Sequence, residues 1–188
     1  MTEPGEADEE LIGRYARGDV AAFDELYRRH EMRVWRYLER NVGNRATADE
    51  LMQEVWFAVA RDAVHYRPRG RFCGWLFAIA RHRMLDAQRQ RRTQRRLEAV
   101  GAGAGDAPRE ADAAPSPLNE ALEGEQARAL RQAISQLPHE QRDAFLLQVE
   151  GELSVEEVAA ITQCSFETTK SRLRYARGKL RELMSVYV

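Results

Sequence analysis

Residues 154–177 read Ser154-Val155-Glu156-Glu157-Val158-Ala159-Ala160-Ile161-Thr162-Gln163-Cys164-Ser165-Phe166-Glu167-Thr168-Thr169-Lys170-Ser171-Arg172-Leu173-Arg174-Tyr175-Ala176-Arg177. Ser154 followed three residues later by Glu157 has the spacing of a capping box, in which two side chains satisfy two free backbone N–H groups. A helix therefore starts there, with Val155, Val158, Ala159 and Ile161 as its apolar side. A short break at Gln163-Cys164 precedes a longer helix over 165–185. Leu173, Leu180 and Leu183 give that helix a side to pack, and residues 167–188 carry six bases against two acids, net +4. A short helix, a tight turn and a longer basic helix form a helix-turn-helix. A basic helix presented this way enters a major groove, its first turns reading bases and its arginines holding phosphates. A solvated charged helix would carry the same charge, so the spacing alone leaves both readings open.

Upstream, two further helices are expected over 118–136 and 138–150, with Pro138 suited to a first turn and Gly151 as a stop. Residues 97–118 hold three Gly, three Pro and many small side chains. Such a stretch cannot build a core and reads as a flexible linker. The N-terminal block has helical period throughout. A short helix begins near Leu11 and ends at Gly18. A second covers 20–42, with Phe23, Leu26, Tyr27, Val34 and Leu38 near one face. A third covers 46–65, with Leu51, Val55 and Val59 in a stripe. A fourth covers 72–95, with Trp75, Ile79 and Leu85 facing inward. Strand-like alternation is absent. The fold class is all-α: two small helical domains, a four-helix domain and a helix-turn-helix domain, on a flexible linker. The expected boundaries are an acidic tail at 1–10, a first domain at 11–96, a linker at 97–119 and a second domain at 120–188.

The charge distribution sharpens this division. The 188 residues have a formal net charge of −1, yet residues 11–96 are +9, while residues 1–10 and 97–140 are −5 each. All of the +9 falls in 61–96, where eleven Arg oppose Asp62 and Asp86. Tyr66, Phe72, Trp75 and Phe77 are interleaved with these bases. Cations that follow a backbone and aromatics that stack on bases suit single-stranded DNA; for Trp75 and Phe77 a place in the bundle core is the favoured alternative. Tyr66 and Phe72 flank Arg67, Arg69 and Arg71 in an interhelical loop, a plausible receiver of an unstacked base. The cluster from Arg89 to Arg96 reads as a grip on duplex phosphates or a frayed basic helix end. The chain holds 27 Arg and two Lys; codon bias in a GC-rich genome explains most of that skew.

Other classes are disfavoured. No run of 18 apolar residues marks a membrane span, and the acidic N-terminus lacks the apolar core of a secretion signal, which places the protein in the cytoplasm. Cys73 and Cys164 read as buried small hydrophobes without a disulfide. His30, His65, His82 and His139 are expected at the surface or half-buried, with no metal spacing. No catalytic set, cofactor loop or nucleotide motif emerges. Glu50, Gln53 and Glu54 form a polar patch opposite the apolar stripe of their helix, either a docking surface or a plain exposed face.

These residues resemble a known family. Glu50-Leu51-Met52-Gln53-Glu54-Val55-Trp56 is similar to the Asp-Leu-Val-Gln-Glu-Val-Phe segment of extracytoplasmic-function (ECF) sigma factors of bacterial RNA polymerase. Trp75-Leu76-Phe77-Ala78-Ile79-Ala80-Arg81-His82, with Leu85-Asp86 and Arg89, resembles their Trp-Leu-Phe-x-Ile-Ala-Arg-Asn…Asp-x-x-Arg segment. Leu137-Pro138 with Gln141-Arg142, and Thr169-Lys170-Ser171-Arg172-Leu173 with Ala176-Arg177, resemble the start and the recognition helix of their second domain.

The resemblance implies a promoter-specificity subunit without catalytic activity, metal or cofactor. Glu50, Gln53 and Glu54 would dock on the clamp helices of the polymerase's largest subunit. Tyr66, Arg67, Arg69, Arg71, Phe72, Trp75, Arg81, His82, Asp86 and Arg89 would capture and melt the −10 element, with a flipped base of the non-template strand held in the loop. Glu167, Thr168, Lys170, Ser171, Arg172, Arg174 and Arg177 would read the −35 duplex while the second domain binds the polymerase flap. The acidic linker would thread toward the RNA exit path or shield the basic block. An anti-sigma partner is also implied, and no residue identifies it. A stand-alone helix-turn-helix regulator and a helical adaptor are the alternatives; the first leaves the +9 block unexplained and the second leaves both basic surfaces unexplained. The sequence departs from the family at Glu50 and His82, where Asp and Asn are usual, at Gln163 and Glu167, where Gly is usual, and at Thr169, usually apolar. A left-handed backbone at Gln163 would be costlier than at Gly. Glu167 favours the helix dipole, repels phosphate and can accept from cytosine N4.

Overall fold

The computed structural model describes residues 6–67, 70–101 and 124–187, and every regular element among them is helical. The first domain comprises α1 (Asp8–Ala16), α2 (Val20–Val42), α3 (Arg45–Asp62), a 3-10 turn (Ala63–His65) and α4 (Phe72–Gly101). The second comprises α5 (Glu125–Ser135), α6 (His139–Gly151), α7 (Val155–Thr162), α8 (Phe166–Leu183) and a 3-10 turn (Ser185–Tyr187).

Local chemistry sets most boundaries. Asp8, Glu9 and Glu10 fill the first turn of α1 and complement its dipole, so the end of the expected acidic tail is already helix. Gly43 ends α2 in the left-handed region at φ 67°. The Asn44 side chain accepts from the Thr47 N–H at 3.0 Å and starts α3. At α7 both capping-box bonds form: the Glu157 N–H donates to Ser154 Oγ at 3.2 Å and the Ser154 N–H to Glu157 Oε2 at 2.8 Å. Gln163 adopts φ 55° and makes the turn into α8 without glycine.

Three expectations change. First, α4 runs on to Gly101, into the stretch read as linker; the rest of that linker, through residue 123, lies outside the described residues, as does the expected start of α5. Second, the inward face of α4 is Phe72, Leu76, Phe77, Ala80 and Met84, all 0% exposed, while Trp75, Ile79 and Leu85 are only half-buried. The near-continuous apolar run from Phe72 to Ala80 fits several helical faces, and the neighbouring helices choose among them. Third, His30 is buried at 3% exposure rather than half-buried or at the surface.

The core of α3 is as expected, with Leu51, Val55 and Val59 buried, and α2 contributes Leu26, Val34 and Leu38. Burying each such side chain stabilises the fold by roughly 1.5–3 kcal/mol. The two domains also pack on each other through α2, α4, α6 and α7, and their buried residues form one apolar cluster. Tyr37 sits at the junction, fully buried, edge-on to Phe77 at 5.5 Å between ring centroids.

Candidate nucleic-acid interface

The α3 patch is exposed at Glu50, Gln53 and Glu54. One turn beyond Gln53, Phe57 is 73% exposed. It borders a groove of about 330 Å³ lined by Phe23, Tyr27, Met52, Gln53, Trp56 and Ala60. Tyr27 and Trp56 pack together at 4.9 Å, and the buried indole N–H of Trp56 has no acceptor. The polar patch was legible in the sequence. The apolar groove was not, because Tyr27 on α2 and Phe57 on α3 meet only in the fold.

The loop before α4 rests on an aromatic cluster. Tyr66 lies 6.2 Å from Phe72 and 5.0 Å from Trp75, and Phe72 lies 5.8 Å from Trp75. Phe72 is wholly buried, which corrects its assignment as a strand contact: its backbone N–H is held by Glu9 Oε1 at 2.6 Å and its ring packs 5.5 Å from His30. Tyr66 and Trp75 remain partly exposed above it, and Arg67 and Arg71 are exposed; Arg69 lies outside the described residues. Burial, followed by the charges of Glu9, Asp8 and Cys73, pushes the Tyr66 phenol up to about 12, so it stays a hydrogen-bond donor. Further along α4, His82 and Arg89 both pair with Asp86, at 3.4 and 3.1 Å, on the exposed side. Arg81 departs from expectation. Its Nε donates to Asp143 Oδ2 at 2.8 Å and its Nη1 to the Ile161 carbonyl at 3.2 Å, both in the second domain.

Beneath the loop, His30 Nε2 bonds Asp8 Oδ2 at 2.7 Å while Nδ1 faces Cys73 Sγ at 4.0 Å. Burial opposes a charged imidazole, but the hydrogen bond to Asp8 and the neighbouring Cys73 outweigh it and raise His30 to about 9. Asp8 is itself held low: burial works against its charge, and His30 and Arg29 overcome that. Asp8, His30 and Cys73 are near enough to suggest a metal site. The ring, however, lies between the other two, and Asp8 is already satisfied by His30 and by Arg29 at 2.9 Å. The geometry is that of a buried ion pair joining α1, α2 and α4.

On α8, Glu167, Thr168, Lys170, Arg174 and Arg177 are exposed and Ser171 is half-buried. Leu173, Ala176 and Leu180 hold the opposite face in the core. Ser165 caps the helix by accepting from the Thr168 N–H at 3.1 Å. Arg172 is half-buried, donating to Cys164 Sγ at 3.0 Å and to Glu140; it braces α8 against the turn and α6. Thr169 is 0% exposed, with its hydroxyl unpartnered, as befits a position usually apolar.

The fold and these surfaces define a two-domain helical transcription factor of the sigma type. A family model described as Sigma-70 region 2 matches residues 26–94, and one described as Sigma-70, region 4 matches residues 127–180. RNA polymerase sigma factor CarQ of Myxococcus xanthus is 38% identical over 174 residues, covering 91% of this chain and 94% of that protein. ECF RNA polymerase sigma factor RpoE of Cereibacter sphaeroides is 34% identical over 168 residues, covering 89% and 88%. The solved structure of CnrH in complex with the cytosolic domain of CnrY aligns at a TM-score of 0.66 and 25% identity, covering 96% of this chain and 99% of that one. The sigma factor RpoE from Bartonella quintana, solved with the anti-sigma factor NepR, shares the fold at a TM-score of 0.65 and 22% identity, covering 87% and 97%.

The chain belongs to the ECF family of RNA polymerase sigma factors. It binds core polymerase, directs it to promoters and promotes the DNA opening that starts transcription. Sigma factors are in general initiation factors and not enzymes. Among the described residues, no helix is long and apolar enough to cross a membrane.

Proposed function

We propose that three surfaces divide the work. The face of α3 with Glu50, Gln53 and Glu54 docks on the polymerase clamp helices, and the groove beside Phe57 takes an apolar side chain from them. The 73% exposure of Phe57 beside that apolar groove supports this reading, because a contiguous exposed apolar patch marks an interaction surface. Tyr66, Trp75, Arg67 and Arg71 capture the displaced −10 strand, Tyr66 and Trp75 stacking and the arginines following phosphates. Arg69 belongs to the same loop by sequence. Phe72 supports the platform from below. His82, Asp86 and Arg89 line the continuation of that surface along α4.

The exposed face of α8 reads the −35 duplex. Thr168, Lys170 and Ser171 are placed for base edges, and Arg174 and Arg177 for phosphates. Glu167 at the first turn suits a cytosine amino group better than a phosphate. Arg172 acts through its packing on Glu140 and Cys164 rather than by a free contact. The domains are taken as the expected residues 11–96, extended to Asp8 and Gly101, and 120–188, and the protein works in the cytoplasm with the polymerase. An anti-sigma partner is in keeping with the shared fold of the Bartonella quintana sigma factor solved with the anti-sigma factor NepR.

The observation that carries this reading is the separation of an exposed docking face on α3 from an exposed basic reading helix in another domain. A regulator that only gripped duplex DNA would have no use for the groove around Trp56. The test is transcription in vitro with core polymerase and fragments of the source genome. Promoter-specific initiation is expected. Binding to core without initiation on any fragment would overturn the assignment.

A further inference from the structure

A half-enclosed pocket of about 310 Å³ lies where the end of α2, the start of α3, α4 and the first turn of α6 meet. Its size is at the lower end of the range for small-molecule sites. Arg91 and Arg92 of α4 and His139 and Arg142 of α6 line it, with Val42 and Ala87 as an apolar wall. Among the described residues no Asp or Glu lines it. The carboxylates beside its α6 residues in sequence are engaged elsewhere. Asp143 accepts from Tyr37 Oη and from Arg81 Nε, each at 2.8 Å, and Glu140 pairs with Arg172. The lining therefore carries three permanent positive charges and an imidazole, and no negative charge.

Neighbours hold several of these side chains in place. Arg91 Nη2 donates to Thr47 Oγ1, Arg142 Nη1 reaches the Arg40 carbonyl at 3.5 Å, and Gln88 Nε2 lies 3.5 Å from His139 Nε2. Arg142 and His139 are half-buried, while Arg91 and Arg92 are exposed. His139 is the first residue of α6, so the positive end of that thirteen-residue helix adds to the field in the pocket. A recess walled by charges of one sign focuses its field and attracts the opposite charge. Burial holds the His139 imidazole below its ordinary value; Asp143 opposes this, and Arg142, Arg81 and Arg92 add to it. An anion in the pocket would offset the repulsion that these cations exert on the ring and on one another.

We propose that this pocket binds a small diphosphate ester of the nucleoside-diphosphate kind, its phosphates held by Arg91, Arg92, Arg142 and His139. The match is one of charge and shape. A diphosphate monoester carries about three negative charges near neutral pH, one on its inner phosphate and nearly two on its outer, against three arginines. Guanidinium groups take phosphate oxygens two at a time, and Val42 and Ala87 offer an apolar wall to the sugar or base. The backbone of a DNA duplex is the competing anion. Its phosphates are single charges spaced along a strand, and they suit the open side of α4 better than a recess between α4 and α6. The site is separate from the α3 docking face, from the platform of Tyr66 and Trp75 and from the reading face of α8, since none of its lining residues belongs to them.

The experiment uses the full chain alone. ADP, GDP and inorganic phosphate are compared by thermal melting and by calorimetric titration, on wild type, R92Q and H139Q. ADP or GDP at a hundredfold excess over its Kd should raise the wild-type midpoint by about 5–10 °C. Inorganic phosphate, with a single phosphoryl group, should bind about tenfold more weakly or worse. Each substitution should weaken nucleotide binding by about tenfold or more, and R92K should recover part of the loss. By NMR, the titration midpoint of the His139 ring should rise when nucleotide is bound, because the anion offsets Arg142 and Arg92. If neither nucleotide moves the wild-type melting or the His139 titration, the proposal is overturned. Phosphate binding as tightly as the nucleotides, or nucleotide affinity unchanged in both R92Q and H139Q, would overturn it too. Duplex DNA binding that both substitutions weaken, with no nucleotide binding, would assign the pocket to the DNA backbone and equally overturn it. Should a variant lose its helical circular dichroism, the His139 titration in the wild type decides alone. No arm contains polymerase or a promoter, so the outcome is independent of the sigma function.

Discussion

Replacing Phe72 with alanine separates a structural role from a DNA contact. The ring is 0% exposed and packs among Tyr66, Trp75 and His30. Removing a buried Phe costs the transfer energy of the deleted atoms plus the cavity left behind, about 3–5 kcal/mol in total. For a chain of this size each kcal/mol lowers the midpoint by about 2–4 °C, so F72A should melt on the order of 6–20 °C below wild type. Phe72→Leu refills most of the space and should cost less, about 1–2 kcal/mol. The assay is thermal and urea unfolding of both variants, alongside open-complex formation over the same range of temperature. If Phe72 only supports the platform, promoter opening falls in step with stability, and F72L recovers most of both. F72A that melts like wild type but fails to open promoters would refute the argument, because the ring would then be acting on DNA.

The His30–Asp8 pair predicts a pH dependence. The folded state binds the His30 proton more tightly than the unfolded chain, about 9 against 6.5. Its contribution is therefore complete below about pH 6.5 and is lost as pH rises through 9. At about 1.4 kcal/mol per pKa unit it is worth on the order of 3 kcal/mol. Urea midpoints should fall between pH 6.5 and 9.5 in wild type and much less in H30Q; equal slopes would dismiss the pair. Phe57→Ser removes an exposed side chain, so stability should stay within about 0.5 kcal/mol while affinity for core polymerase drops; unchanged affinity would remove the groove from the docking face. R67A/R71A should lower the salt slope of single-strand binding by about 1.4, at about 0.7 for each phosphate left without its arginine; an unchanged slope would mean these arginines do not follow the backbone.

Local rules reached far into this protein. The capping box at Ser154 and Glu157, the stop at Gly43 and the stripe of Leu51, Val55 and Val59 each depend on neighbours within one or two turns, so they are readable from spacing. The exposed bases of α8 are readable for the same reason, since Leu173 and Leu180 orient the helix. Where apolar residues crowd, as from Phe72 to Ala80, spacing fits several faces, and the burial of Phe72 in place of Trp75 was decided by α1 and α2.

The residues brought together from distant parts of the chain were beyond any local rule. Arg81 reads as a DNA ligand from its motif, yet its partner Asp143 is 62 residues away. Tyr37 finds the same carboxylate across 106 residues. The sequence alone determined the helices, their caps, the two-domain order and the chemistry that each exposed face offers. Tertiary packing alone decided which arginines are free and which are held, because a charge buried between two domains is stable only beside the opposite charge that the other domain supplies.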